Sequence, residues 1–75
     1  MTEYDLTTMI TREGDGFVSL CPELDVASQG DTPDEAQANL VEALELFLEC
    51  ATQGEIERRL QRADVRLGSV RMAVG

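Results

Sequence analysis

Polar and apolar residues alternate through the start of the chain: Tyr4, Leu6, Thr8 and Ile10 interleave with Asp5, Thr7, Met9 and Thr11, and β-branched side chains are frequent. A period of two sends successive side chains to opposite faces, so residues 4–13 are expected to form a half-buried strand. Glu13-Gly14-Asp15-Gly16 then supplies glycines where a tight turn needs positive φ, and residues 17–21 resume the pattern, which predicts a hairpin. Pro22 has no N–H to donate and ends the second strand, leaving residues 25–29 for a short third one.

From Gly30-Asp31-Thr32-Pro33-Asp34-Glu35 the pattern becomes helical. Thr32 and Glu35 have the spacing of a capping box, in which each side chain accepts from the other residue's amide. Pro33 suits the first helical position, where its missing donor has no partner to lose, and Asp34 and Glu35 lie against the positive end of the helix dipole. The helix is predicted from residue 33 to about residue 51. At about 100° per residue, Ala36, Leu40, Ala43, Leu44, Phe47 and Ala51 share one face and Glu42, Glu45 and Glu49 lie opposite. Val41 and Leu48 widen one edge of the apolar arc, and Leu46 and Cys50 the other. A small sheet covers the centre of so wide a stripe but not its flanks, which makes Val41, Leu46, Leu48 and Cys50 candidate contacts with a second subunit. Size points the same way, because a chain of 75 residues buries only about 60% of its unfolded surface. A homo-oligomer, dimer or tetramer, is expected.

Gln53-Gly54 interrupts the pattern, and residues 55–63 give one or two further helical turns with Ile56 and Leu60 four apart. Val65 and Leu67 share one phase of an alternation, whereas Val70, Met72 and Val74 fall in the other. A bulge or bend near Gly68 within a final strand would restore a single apolar face. The order is β-β-β-α-α-β in one domain, residues 1–75. This is an α+β chain: a three-stranded antiparallel sheet with one main helix on one side, a short second helix, and a final strand that joins a sheet edge or pairs across a dimer.

Charge is segregated along the chain. Residues 1–57 hold fourteen acids against Arg12 alone, a charge of −13, while residues 58–75 hold five arginines against Asp64, a charge of +4. Such a field repels nucleic acid and anionic membranes and speeds encounter with a basic partner. Arg58, Arg59 and Arg62 lie on one side of the short helix, but no aromatic interleaves them, so no direct nucleic-acid binding is expected. The N-terminus resembles no signal peptide and no apolar run reaches membrane-spanning length, so a cytoplasmic protein that contacts no membrane is expected.

The chain has no histidine, hence no imidazole general base and no Ser-His or Cys-His pair. Cys21 and Cys50 stand alone within apolar patterns and read as buried thiols rather than as a disulfide or a zinc site. No metal or cofactor is expected. Catalysis would have to rely on Asp5, Glu13, Asp15, Asp25 and Asp31 converging on two Mg²⁺ ions in a degenerate metal-dependent nuclease. These residues are equally explained as a solvated strand face, a turn and a cap flank, and a non-catalytic binding protein is expected.

Taken together, residues 16–24 (G-F-V-S-L-C-P-E-L), 28–32 (S-Q-G-D-T) and the helical Glu35-Ala36, Asn39-Leu40-Val41-Glu42-Ala43 run resemble the HicB-type antitoxins of toxin-antitoxin systems. That family is marked by a G-[YF]-V-x-x-x-P-x-L segment, a Q-G-D-T turn and an E-A-x-x-N-x-x-E-A helix. The resemblance implies a partial RNase H-like fold. It also implies a role in neutralising a HicA-type toxin, a small basic ribonuclease whose catalytic histidine the antitoxin helps to block. It places Glu23, Leu24 and Asp25, beside the Pro22 break, against the toxin. Longer members add a C-terminal DNA-binding domain; the expectation here is a short, stand-alone member that does not repress its own operon. The alternative is an orphan oligomeric scaffold or regulator that kept the fold without a toxin.

Overall fold

In the computed structural model, which describes residues 3–62, 66 and 68–75, the hairpin turns on two residues, Gly14 and Asp15. Gly14 takes φ 60, a left-handed value that costs glycine nothing because it has no Cβ. Strand β1 (Met9–Glu13) pairs antiparallel with β2 (Gly16–Cys21), with Glu13 opposite Gly16 and Met9 opposite Leu20. β2 pairs in turn with β3 (Val26–Gly30), so the sheet runs β1-β2-β3.

The first strand is shorter than its alternation predicts. Continuing the β1–β2 register beyond Met9 would set Thr7 against Pro22, which has no N–H to donate. The Thr7 amide bonds instead to the Glu23 carboxylate, at 3.1 and 2.9 Å from its two oxygens. At the other end of β2, residues 22–25 form a tight turn that Asp25 closes with φ 55. The third strand therefore begins at Val26 rather than at residue 25, because a left-handed residue cannot continue a ladder and Asp tolerates that conformation.

Directly paired residues share a face, and Ser19 identifies the side that meets the helix. Its buried hydroxyl donates 2.9 Å to the Ala36 carbonyl in the first turn of α1 (Pro33–Cys50). Thr32 caps this helix as the sequence predicts, its hydroxyl accepting from the Glu35 amide at 3.1 Å. Ala36, Leu40 and Leu44, spaced four apart, are the buried line of α1. Leu40 and Leu44 close on Cys21 and Leu24, with Leu6, Val26, Phe47, Leu48 and Leu60 packed around that cluster. Burying a leucine in this way stabilises the fold by about 1.5–3 kcal/mol.

Helix α2 (Gln53–Arg62) starts two residues before the predicted segment. Thr52 caps it through its hydroxyl, which accepts from the Glu55 amide at 3.1 Å. Thr52-x-x-Glu55 repeats the spacing of Thr32-x-x-Glu35, and Gly54 is carried inside the first turn because the cap offsets its poor helix propensity. Ile56 is the buried residue of α2.

Among the described residues no final strand is seen within one copy. Val65 and Leu67 lie outside the described residues, and residues 68–75 are exposed and pair with no strand, so no bulge near Gly68 is formed. Among the described residues the fold is three antiparallel strands followed by two helices. None of these helices is long and apolar enough to cross a membrane.

The seat of α1 depends on Gly30. A Cβ at this position would lie 2.5 Å from the Ala36 nitrogen and 2.8 Å from the Glu35 carbonyl carbon, whereas one at Gly68 would meet nothing within 4 Å. Gly30→Ala is expected to lower unfolding stability by about 1–3 kcal/mol, since backbone rather than a flexible side chain must yield. Gly68→Ala should leave it unchanged, and urea unfolding of both variants measures the difference.

Candidate functional site

Of the three residues placed against a toxin by resemblance, the turn after β2 presents only one freely. Leu24 is 1% exposed and belongs to the core, so its side chain is not available to a partner. This corrects the expectation for Leu24: Pro22 and the left-handed Asp25 fold the turn back so that Leu24 points at Leu40 and Leu44. The Glu23 carboxylate accepts from the Thr7 amide, from the Thr7 hydroxyl at 2.6 Å and from the Cys21 thiol at 3.6 Å. Asp25 is exposed.

These contacts set the chemistry of Glu23 and Cys21. Partial burial alone would raise the Glu23 pKa, but hydrogen bonds from Thr7, the loop backbone and Cys21 outweigh it and hold the carboxyl below its ordinary value. Cys21 moves the other way. Burial foremost, and then the adjacent Glu23 charge, push its thiol up, so it stays protonated and unreactive. Cys21 is the buried thiol the sequence predicts; Cys50 is corrected to an exposed free thiol, because it lies on the solvent side of the last turn of α1.

Helix α2 clamps the same turn from below. Arg59 donates to the Leu24 carbonyl at 2.5 Å, pairs with Glu55 at 3.3 Å and stacks its guanidinium 4.6 Å over the Phe47 ring. Between turn and helix lies a cleft of about 430 Å³ that sets Glu23, Asp25 and Glu55 against Arg58, Arg59 and Arg62. Arg59 is therefore a structural tie, and Arg58 and Arg62 are the arginines left to face this cleft.

A larger groove, about 750 Å³, lies at the hairpin end of the sheet. Its lining includes Gly16 and Phe17 from β2, Gln29 and Gly30 from β3, Asp31 from the turn, and Glu35 and Asn39 from α1. These are the positions, far apart in sequence, that carry the G-[YF]-V, Q-G-D-T and E-A-x-x-N pattern. Several have a structural reason: Gly30 admits the helix, and the Asn39 side-chain amide donates 2.7 Å to the Gln29 carbonyl, fastening α1 to β3. Glu13, Asp31 and Glu35 line the groove with negative charge, and Arg12 stacks 5.1 Å over Phe17. Three carboxylates around one opening favour a cationic side chain over an anion.

The predicted subunit contacts do not form one patch. Val41 is 41% and Leu46 61% exposed, but at about 100° per residue they lie on opposite flanks of α1. Leu48 is half-buried and packs against the core, leaving only part of its side chain at the flank. Leu46 sits in a shallow depression among Glu42, Glu45 and Glu49. Of the carboxylates of the nuclease alternative, Glu13 and Asp31 line the hairpin-end groove and Asp25 the cleft, and among the described residues no group of three or more Cys, Asp or Glu is placed to hold a metal ion.

Neither the Thr7–Glu23 clamp nor the Arg59 tie is legible in the sequence, since each joins residues separated by 16 or more positions. Because the folded-state pKa of Glu23 is lowered, its stabilisation is present above the ordinary glutamate range of about 4.3 and is lost as pH falls through the lower folded value. Glu23→Gln is expected to flatten that acid limb of the stability curve, and Thr7→Ala to weaken it by roughly 1 kcal/mol at neutral pH. Urea unfolding between neutral pH and pH 3 reads both effects.

The chain is similar to the UPF0150 protein ssr1765 of Synechocystis sp. (strain ATCC 27184 / PCC 6803 / Kazusa), with 44% identity over 48 residues covering 61% of each chain. It thus spans less than two thirds of that relative's length. No family model matches the chain, and no solved structure matches it.

Proposed function

We propose that this protein is an antitoxin-like binding module that neutralises a small basic ribonuclease of the HicA type by occupying its cationic surface. The observation that carries this reading is the convergence of the resemblance-bearing residues on the groove rimmed by Glu13, Asp31 and Glu35. The −13 charge of residues 1–57 supplies long-range attraction for such a partner and none for RNA. Asp25, exposed at the cleft, provides a second acidic contact, with Glu23 acting mainly to hold the turn in shape. No covalent step is needed, since a basic surface covered by carboxylates is no longer open to phosphate.

The test is co-expression with the product of a small basic reading frame encoded beside it. A complex that purifies at low salt and restores growth is expected. Glu13→Lys with Asp31→Lys should weaken the complex tenfold or more, and Asp25→Lys less, by isothermal titration. Absence of any complex at low salt rejects the proposal.

Exposed Val41 and Leu46 favour a second reading, an oligomeric scaffold with no toxin. Association through Leu46 would bring the Glu42, Glu45 and Glu49 sets of two copies together, so it should strengthen as salt screens their repulsion. Native mass measured across salt, with Leu46→Glu as the disrupting variant, checks it.

A further inference from the structure

The segment 68–75 is the most apolar exposed part of the molecule. Val70, Met72 and Val74 are 79%, 74% and 97% exposed, and their spacing puts all three on one face of any extended strand. Such side chains stay in water only at a cost, and a strand-forming alternation is the pattern that a sheet edge accepts.

The sheet offers such an edge. Among the described residues no strand pairs with the outer side of β1 or of β3, so each is an open edge, although β3 gives its Gln29 carbonyl to the Asn39 side chain. The two edges are not equivalent. Helix α1 packs chiefly over β3 and β2 and reaches β1 least, and the sheet's exposed large apolar side chains, Met9 and Ile10, are both on β1. They lie on opposite faces, so a strand added there finds an apolar neighbour whichever way it turns. The edge itself is balanced, with Arg12 beside Glu13, but the body it belongs to is acidic, −13 over residues 1–57, while residues 58–75 carry +4, including Arg71 in the alternating segment.

We propose that this edge is a self-association site: Val70, Met72 and Val74 of one copy add as a fourth strand along β1 of a second copy, which returns its own segment in exchange. The occupant is a second copy because residues 68–75 are exposed throughout and pair with no strand of their own chain. Reciprocal exchange makes a closed two-fold dimer, with two main-chain ladders and two capped edges. Unlike a contact through Leu46, this one brings the basic C-terminal part of one copy, +4 over residues 58–75, to the acidic body of the other and weakens as salt rises.

The experiment uses the full chain in a one-to-one mixture of methyl-labelled and amide-labelled copies. Intermolecular NOEs from the Val70 and Met72 methyls to the amides of Met9–Glu13 are expected, together with a dimer by native mass. Val70→Asp with Met72→Asp should abolish those NOEs and raise the dimer dissociation constant tenfold or more, with the helical circular dichroism signal retained because both positions are exposed in the monomer. Ile10→Lys, which protects the edge itself, should do the same from the other side of the contact. A monomeric wild type, NOEs confined to one copy, or a dimer indifferent to both variants would overturn the proposal.

Discussion

The structure depends on one close approach, the backbone of Ala36 lying against Gly30. With no Cβ at residue 30, the first turn of α1 descends directly onto the end of β3. Ser19 can then reach the Ala36 carbonyl and Asn39 the Gln29 carbonyl. These bonds set the rotation of α1 about its axis as well as its distance from the sheet. Leu40 and Leu44 consequently face Cys21 and Leu24, and a core with few fully buried side chains becomes continuous. A methyl group at residue 30 would push apart the elements whose meeting creates both core and groove.

The turn after β2 is held by different means at each residue. Glu23 is tied by hydrogen bonds to Thr7, Leu24 by burial, and the Leu24 carbonyl by Arg59. The opposed shifts of Glu23 and Cys21 follow from this arrangement: the carboxylate collects donors while the neighbouring thiol loses water. Because Arg59 is engaged with Leu24, Glu55 and Phe47, the basic character of α2 is carried outward by Arg58 and Arg62. A charge run read from sequence overstates what a partner meets.

Charge segregation links the two binding proposals. The acidic surface over the sheet and α1 attracts cations from any source, whether a basic partner or the arginine-bearing segment of another copy. The hairpin-end groove and the β1 edge are adjacent features of one small sheet, with Glu13 closing the strand and lining the groove. Self-association along β1 would therefore be felt at the groove by any partner that reaches Glu13.

The elements were legible because they rest on local chemistry. The Thr32 cap, Pro33, the four-residue spacing of Ala36, Leu40 and Leu44, and the glycine turn at Gly14 each act within a few residues of themselves. Thr52-x-x-Glu55 was equally local, and its neighbouring Gly54 obscured it. Tertiary structure alone decided the rest. It shortened β1, because the partner of Thr7 in the ladder would be a proline; it buried Leu24, drew Leu48 halfway into the core, and exposed Cys50. It also drew Gly16, Gln29, Asp31, Glu35 and Asn39 around one groove. Period and propensity report which side of a strand or helix is apolar, whereas which residues meet across space depends on how closely two backbones approach. Here a missing Cβ at Gly30 permits that approach.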